Sequence, residues 1–132
     1  MEKLLDPQLE ADSFAVAHLE LSELRLMNNQ NVLWLILIPR RKKMIEWIDL
    51  SDVDQAMLLL EIKQISSLLK THFPCDKLNI ATLGNVVSQL HVHVIARRFD
   101  DAYFPKVPFG LPGEPYMSEL KIQLIKKIQA LL

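Results

Sequence analysis

The sequence predicts an α+β fold: an antiparallel sheet with one long helix packed on it and a further helix near each end of the chain. Three observations carry this. Two pairs of strand-like apolar segments are each joined by turn-forming residues. One long amphipathic segment lies between the pairs. A stretch rich in proline then separates the second pair from a last amphipathic segment. The chain has 132 residues, half of them hydrophobic, which is enough to build a core without covalent staples. One domain over residues 1–132 is expected.

Asp6-Pro7 reads as a helix start, with the acid as cap and the proline in the first turn. Leu9, Phe14, Val16, Ala17 and Leu21 follow in loose helical order, and a helix is expected over residues 7–18. Residues 19–27 alternate around Leu19, Leu21, Leu24 and Leu26, with one slip near Glu23. Asn28-Asn29-Gln30-Asn31 is a turn signal, because asparagine tolerates left-handed backbone. Residues 32–38 (VLWLILI) are strand formers closed by Pro39, so this pair reads as a hairpin.

Ser51 opens the long helix. Ser51 and Asp54 form a pair resembling a capping box, and Asp52 adds negative charge to the first turn. Val53, Met57, Leu60, Ile62, Ile65, Leu68 and Leu69 mark its apolar face as far as about Thr71, before His72-Phe73-Pro74. Residues 78–83 form a second apolar strand, Gly84-Asn85 a turn, and residues 88–97 a third long strand with strict alternation. Pro105, Pro108, Pro112 and Pro115, with Gly110 and Gly113, exclude helix and central strand from the next stretch. Residues 118–132 form a final helix with Leu120, Leu124, Ile125, Ile128 and Leu131 on its face.

Composition excludes several functions. Fifteen basic and sixteen acidic residues give a net charge of −1, which argues against a surface that coats nucleic acid. The N-terminal stretch MEKLLDPQLEADSF carries acids and a proline where a signal peptide needs an apolar run. No run approaches the roughly 18 apolar residues of a membrane span. The single cysteine, Cys75, has no internal partner and suits a reducing compartment. A soluble, cytoplasmic protein is expected.

The chemistry concentrates in Gln89-Leu90-His91-Val92-His93-Val94-Ile95. Side chains alternate across a strand, so Gln89, His91 and His93 share one face while Leu90, Val92 and Val94 bury on the other. Three nitrogen-bearing side chains in a row each need a partner or water. Three readings stand. The histidines are structural; or His-x-His binds a metal, with no third ligand near because Gln89 is a poor one and Asp100 and Asp101 lie beyond the strand end; or one imidazole is a nucleophile, a role suited to phosphorus near neutral pH.

The segment Gly84-Asn85-Val86-Val87-Ser88-Gln89-Leu90-His91-Val92-His93-Val94-Ile95 resembles the signature of the histidine triad (HIT) family, His-φ-His-φ-His-φ-φ with φ apolar. The upstream order is also similar: a hairpin ending in Ile38-Pro39-Arg40, then Asp49-Leu50-Ser51 opening a long helix. The resemblance covers about residues 20–110.

The resemblance implies a nucleotide-binding protein that cleaves at an α-phosphate, with a purine nucleotide or dinucleoside polyphosphate as partner and no cofactor. The middle histidine, the family's nucleophile, matches His91. The third matches His93, against the scissile phosphate. The first matches Gln89, a departure: its main-chain carbonyl can still orient His91, but its side chain cannot shuttle a proton at neutral pH. Asn28 falls where the family binds the ribose hydroxyls. Asn85 is placed near the phosphate. Val86 replaces a Ser or Thr that serves the phosphate, and Ser88 is the substitute at hand. Arg41, Lys42 and Lys43 stand where relatives often carry a histidine. Tyr103, Phe104 and Phe109 lie in the segment that closes over the site in relatives. A homodimer through the long helix and the sheet edge is implied. The alternatives are a nucleotide-binding module with little catalysis and a His-x-His metal-binding protein.

Overall fold

A computed structural model describes residues 4–132; the first three residues of the acidic N-terminal stretch lie outside the described residues. The elements are α1 (Pro7–Asp12), β1 (Ser13–His18), β2 (Ser22–Met27), β3 (Leu33–Pro39), a short 3-10 turn (Trp47–Asp49), α2 (Asp52–His72), β4 (Lys77–Ala81), β5 (Val92–Arg97) and α3 (Ser118–Leu131). The five strands pair antiparallel in the order β1-β2-β3-β5-β4. The expected α+β architecture is therefore the observed one.

The expected helix over 7–18 is corrected. Its cap holds, since the Asp6 carboxylate accepts from the Gln8 N–H at 2.7 Å and Pro7 begins the first turn. The helix stops at Asp12, and Ser13–His18 becomes an edge strand paired with β2, with a register shift between Ala15 and Ala17. Pairing with β2 outweighs a weak local helical pattern, because six helical residues alone gain little. The buried Arg25 side chain secures the junction by donating to Ser13 Oγ at 2.7 Å and to the Ser13 carbonyl at 2.9 Å.

The sheet is covered on both faces. One face carries Leu24, Leu26, Leu35, Leu37, Val92 and Val94 and packs with Leu58, Ile65, Leu68 and Leu69 of α2 and Ile128 of α3. The other carries Trp34, Ile36, Ile38 and Ile95, covered by Leu5, Leu9, Tyr103 and Phe109. This explains why residues 32–38 are apolar without alternation: both faces of β3 are buried.

Ser51 caps α2, its Oγ accepting from the Asp54 N–H at 3.1 Å. The buried face of α2 differs from the expected one. Leu58, Glu61, Ile65, Leu68 and Leu69 are buried, whereas Val53 and Leu60 are exposed. Glu61 is buried with a purpose: its carboxylate accepts from the Leu21 and Ser22 N–H groups at 2.8 and 3.1 Å, which ties the start of β2 to the helix.

The expected strand over 88–97 begins only at Val92. Val92 pairs with Leu37; one step further the partners would be Ile38 and then Pro39, which has no N–H to give. The Leu90 N–H instead donates to the Met44 carbonyl at 2.9 Å.

Candidate functional site

His93 lies within β5, opposite Ile36 on one side and Ala81 on the other. His91 stands one residue before the strand. Both are buried, at 5% exposure, and their ring centroids are 4.9 Å apart at an interplanar angle of 78°. The expected pairing of these imidazoles on one face is therefore present.

Their hydrogen bonds assign their tautomers. His91 Nδ1 lies 2.6 Å from the Gln89 carbonyl oxygen. A carbonyl only accepts, so Nδ1 carries the proton and Nε2 keeps a free lone pair. Trp34 Nε1–H donates to His93 Nδ1 at 2.9 Å. An indole only donates, so the neutral His93 carries its proton on Nε2. Burial, and secondarily the neighbouring His91, push His93 down to about 3, so it stays neutral at physiological pH. The pair thus offers one nitrogen nucleophile and one neutral N–H donor.

Trp34 and Phe109 complete the setting and were not singled out by the sequence for this role. Phe109 packs on His93 at 4.8 Å between centroids and edge-on to Trp34 at 5.4 Å. No local pattern marks Trp34: the β3–β5 register puts it two residues from Ile36, the partner of His93, and so makes it a diagonal neighbour on the same face.

The loop bearing Phe109 is held at both ends. At its start, Arg97 is fully buried and donates to Asp101 at 2.8 and 3.0 Å and to Asn79 at 2.9 Å. Burial by itself would raise the Asp101 carboxyl. The Arg97 guanidinium and the N–H groups of Tyr103, Arg98 and Phe104 instead hold it well below the usual carboxylate range. Further on, Tyr103 Oη receives hydrogen bonds from Asn29 and Asn31 and donates to the Pro112 carbonyl. Gly113 is needed here, because a Cβ would lie 2.4 Å from the Asn29 amide nitrogen.

The other expected site residues fall in three places. Asn28 lines a cavity of about 250 Å³ together with Asn29, Trp34, Pro108 and Gly110, but its Oδ1 already accepts from the Tyr116 N–H at 2.8 Å. Ser88 and Gln89 line a larger cleft of about 550 Å³ with Asp6, Arg41, Lys43 and Met44. Asn85 is exposed and lines neither. Gln89 departs most from expectation: its carbonyl serves His91, but its side chain turns toward the N-terminal segment. Oε1 accepts from the Asp6 N–H at 2.7 Å and Nε2 donates to the Leu4 carbonyl at 2.8 Å. Among the described residues, no group of three His, Cys, Asp or Glu side chains is placed to hold a metal ion, and no helix is long and apolar enough to cross a membrane.

Fold and site together define an α+β protein that sets two buried imidazoles side by side, one with its Nδ1 on a main-chain carbonyl and the other with its Nδ1 on an indole N–H. The HIT domain family model matches residues 8–100. A histidine triad (HIT) protein from Sinorhizobium meliloti is 40% identical, with a TM-score of 0.94 over 97% of this chain and 96% of that one. A histidine triad protein from Bradyrhizobium japonicum is 40% identical, with a TM-score of 0.92 over 96% and 95%. A third, from Marinobacter aquaeolei, is 36% identical, with a TM-score of 0.94 over 97% and 94%. No protein of curated function matches the sequence. The chain belongs to the histidine triad family.

Proposed function

We propose that this protein binds a purine nucleotide or dinucleoside polyphosphate and cleaves it at the α-phosphate through a nucleotidyl-histidine intermediate. The observation that carries the reading is the 2.6 Å contact between His91 Nδ1 and the Gln89 carbonyl, which leaves the Nε2 lone pair free beside the Nε2–H of a neutral His93. His91 attacks phosphorus and His93 donates to a phosphoryl oxygen as charge develops there. The cavity lined by Asn28 and Trp34 takes the nucleoside, with Asn28 toward the ribose once it exchanges its Tyr116 contact for the sugar. Ser88 and Asn85 serve the phosphates from the turn before β5.

A second reading, a binding module with little turnover, is favoured by one observation: the Gln89 amide is turned to the N-terminal segment, donating to the Leu4 carbonyl and accepting from the Asp6 N–H. The separating experiment offers adenosine and guanosine polyphosphates, dinucleoside polyphosphates and phosphoramidates to the protein. Product and a nucleotidyl adduct on His91 support catalysis. Calorimetric binding without either supports the module. If His91→Ala changes neither binding nor turnover, both readings are wrong.

We also propose a homodimer. The exposed Val53, Leu59 and Leu60 on α2 and Ile80 on the edge strand β4 supply apolar area for it. A cytoplasmic location fits the lone thiol of Cys75. Sedimentation of the protein alone tests the dimer.

A further inference from the structure

At Gln89 the side chain is an amide, which cannot give a proton to a departing group near neutral pH. We propose that Gln89 acts as a clasp and sets specificity, restricting the site to leaving groups that depart without a proton, that is, phosphates released from a P–O–P anhydride. The inference rests on the nucleotidyl-histidine reading.

The clasp follows from the backbone. Because β5 starts at Val92, no sheet ladder holds the residues before it. The carbonyl that orients His91 sits in that unladdered stretch and needs support from elsewhere. Three hydrogen bonds supply it: Leu90 N–H to the Met44 carbonyl, Gln89 Nε2–H to the Leu4 carbonyl, and Asp6 N–H to Gln89 Oε1. A side-chain amide presents a donor and an acceptor side by side, which suits a backbone C=O and N–H two residues apart. One N–H and one lone pair of the amide are thereby committed to the N-terminal segment, and the amide has no proton to transfer near neutral pH.

Among the described residues, the other imidazole that shares a cavity with Gln89 is His18, which is held by Glu23 at 3.3 Å. His93 has its Nδ1 occupied by Trp34, and burial keeps it neutral. The cleft that Gln89 lines offers cations instead. Lys43 and Arg41 are part of its wall, Arg41 paired with Asp54 at 2.7 Å, and Asp6 lines it too, its Oδ1 accepting from Gln8. A departing phosphate suits that wall better than a departing amine does.

The chemistry balances for an anhydride. The His91 Nε2 lone pair forms the N–P bond, and the P–O bond to the bridging oxygen breaks. Its electron pair stays on that oxygen, which leaves as an ordinary phosphate anion. His91 becomes an imidazolium that keeps its Nδ1–H on the Gln89 carbonyl. Water then attacks phosphorus, the N–P bond breaks, the pair returns to Nε2, and the surplus proton goes to solvent. Cleaving P–N would instead place the pair on an amine nitrogen, which leaves only when protonated.

The test compares diadenosine triphosphate with adenosine 5′-phosphoramidate on the full chain, reading kcat/KM and the His91 adduct by mass spectrometry after a neutral quench. The anhydride is expected to be favoured by about 10²-fold or more, the contribution typical of one general acid. Gln89→His is expected to narrow that ratio. Gln89→Ala, which removes the clasp and adds no donor, is expected to slow both substrates and keep the ratio. Equal or faster cleavage of the amidate by the wild type overturns the inference while leaving the His91 reading intact. An unchanged ratio in a folded Gln89→His variant also overturns it. Absence of any adduct from either substrate overturns the reading and the inference with it.

Discussion

The indole of Trp34 donates its Nε1–H to His93 Nδ1 at 2.9 Å, diagonally across the β3–β5 pair. This single bond fixes which nitrogen of His93 faces the site. It also satisfies an acceptor buried between Trp34, Phe109 and His91, where water has little access.

Trp34→Phe keeps an aromatic side chain of smaller size and removes the donor. The orphaned Nδ1 is expected to cost about 1–3 kcal/mol of stability. Urea denaturation measures that loss. Nitrogen-15 spectra of the imidazoles should show His93 changing from one tautomer to a mixture, with His91 unaffected.

Stability should fall with acid in a window set by His93. Unfolded, it takes up a proton near 6.5; folded, it resists until about 3. Between those values the unfolded chain binds more protons, so each drop in pH favours unfolding. The slope from this one residue reaches about 1.4 kcal/mol per pH unit. Urea midpoints between pH 7 and 4 should fall more steeply for the wild type than for His93→Gln. Asp101 adds loss in the same direction only at lower pH, because its carboxyl is held below the ordinary range.

Asp101→Asn leaves the wholly buried Arg97 guanidinium without its counter-charge. Breaking a buried pair from one side costs about 3–5 kcal/mol. Thermal unfolding should register it. Amide exchange should speed up at Tyr103 and Phe104, whose N–H groups the Asp101 carboxylate accepts at 3.0 and 2.8 Å.

Gly113→Ala drives a methyl into the Asn29 amide, which is already committed to Tyr103 and to the Asn31 N–H. Overpacking of this kind costs about 1–3 kcal/mol. The expected readout is local: faster exchange through residues 103–115 and weaker nucleotide binding, with the sheet amides unchanged. Unchanged exchange in the loop would show that it does not depend on this contact.

What the sequence determined by itself is the antiparallel sheet, the long capped helix and the pairing of His91 with His93. Each is written in local periodicity, because alternation at i and i+2 or a cap at Ser51 needs no distant partner. Residues 13–18 escaped that logic, since an edge strand is made by the strand beside it and not by its own pattern. The buried face of α2 escaped it in part: Leu58 and Glu61 were chosen by what they meet, the sheet and the two N–H groups of Leu21 and Ser22. At the site the division is sharper. Spacing placed the two imidazoles together and set the Gln89 carbonyl two residues before His91, but only the tertiary structure decided the tautomer of His93, whose donor comes from residue 34, and the hold on Gln89, which comes from residues 4 and 6. Hydrogen bonds between residues 59 to 85 positions apart leave no period in a sequence, and they fix which nitrogen His93 presents and hold the residue whose carbonyl orients His91.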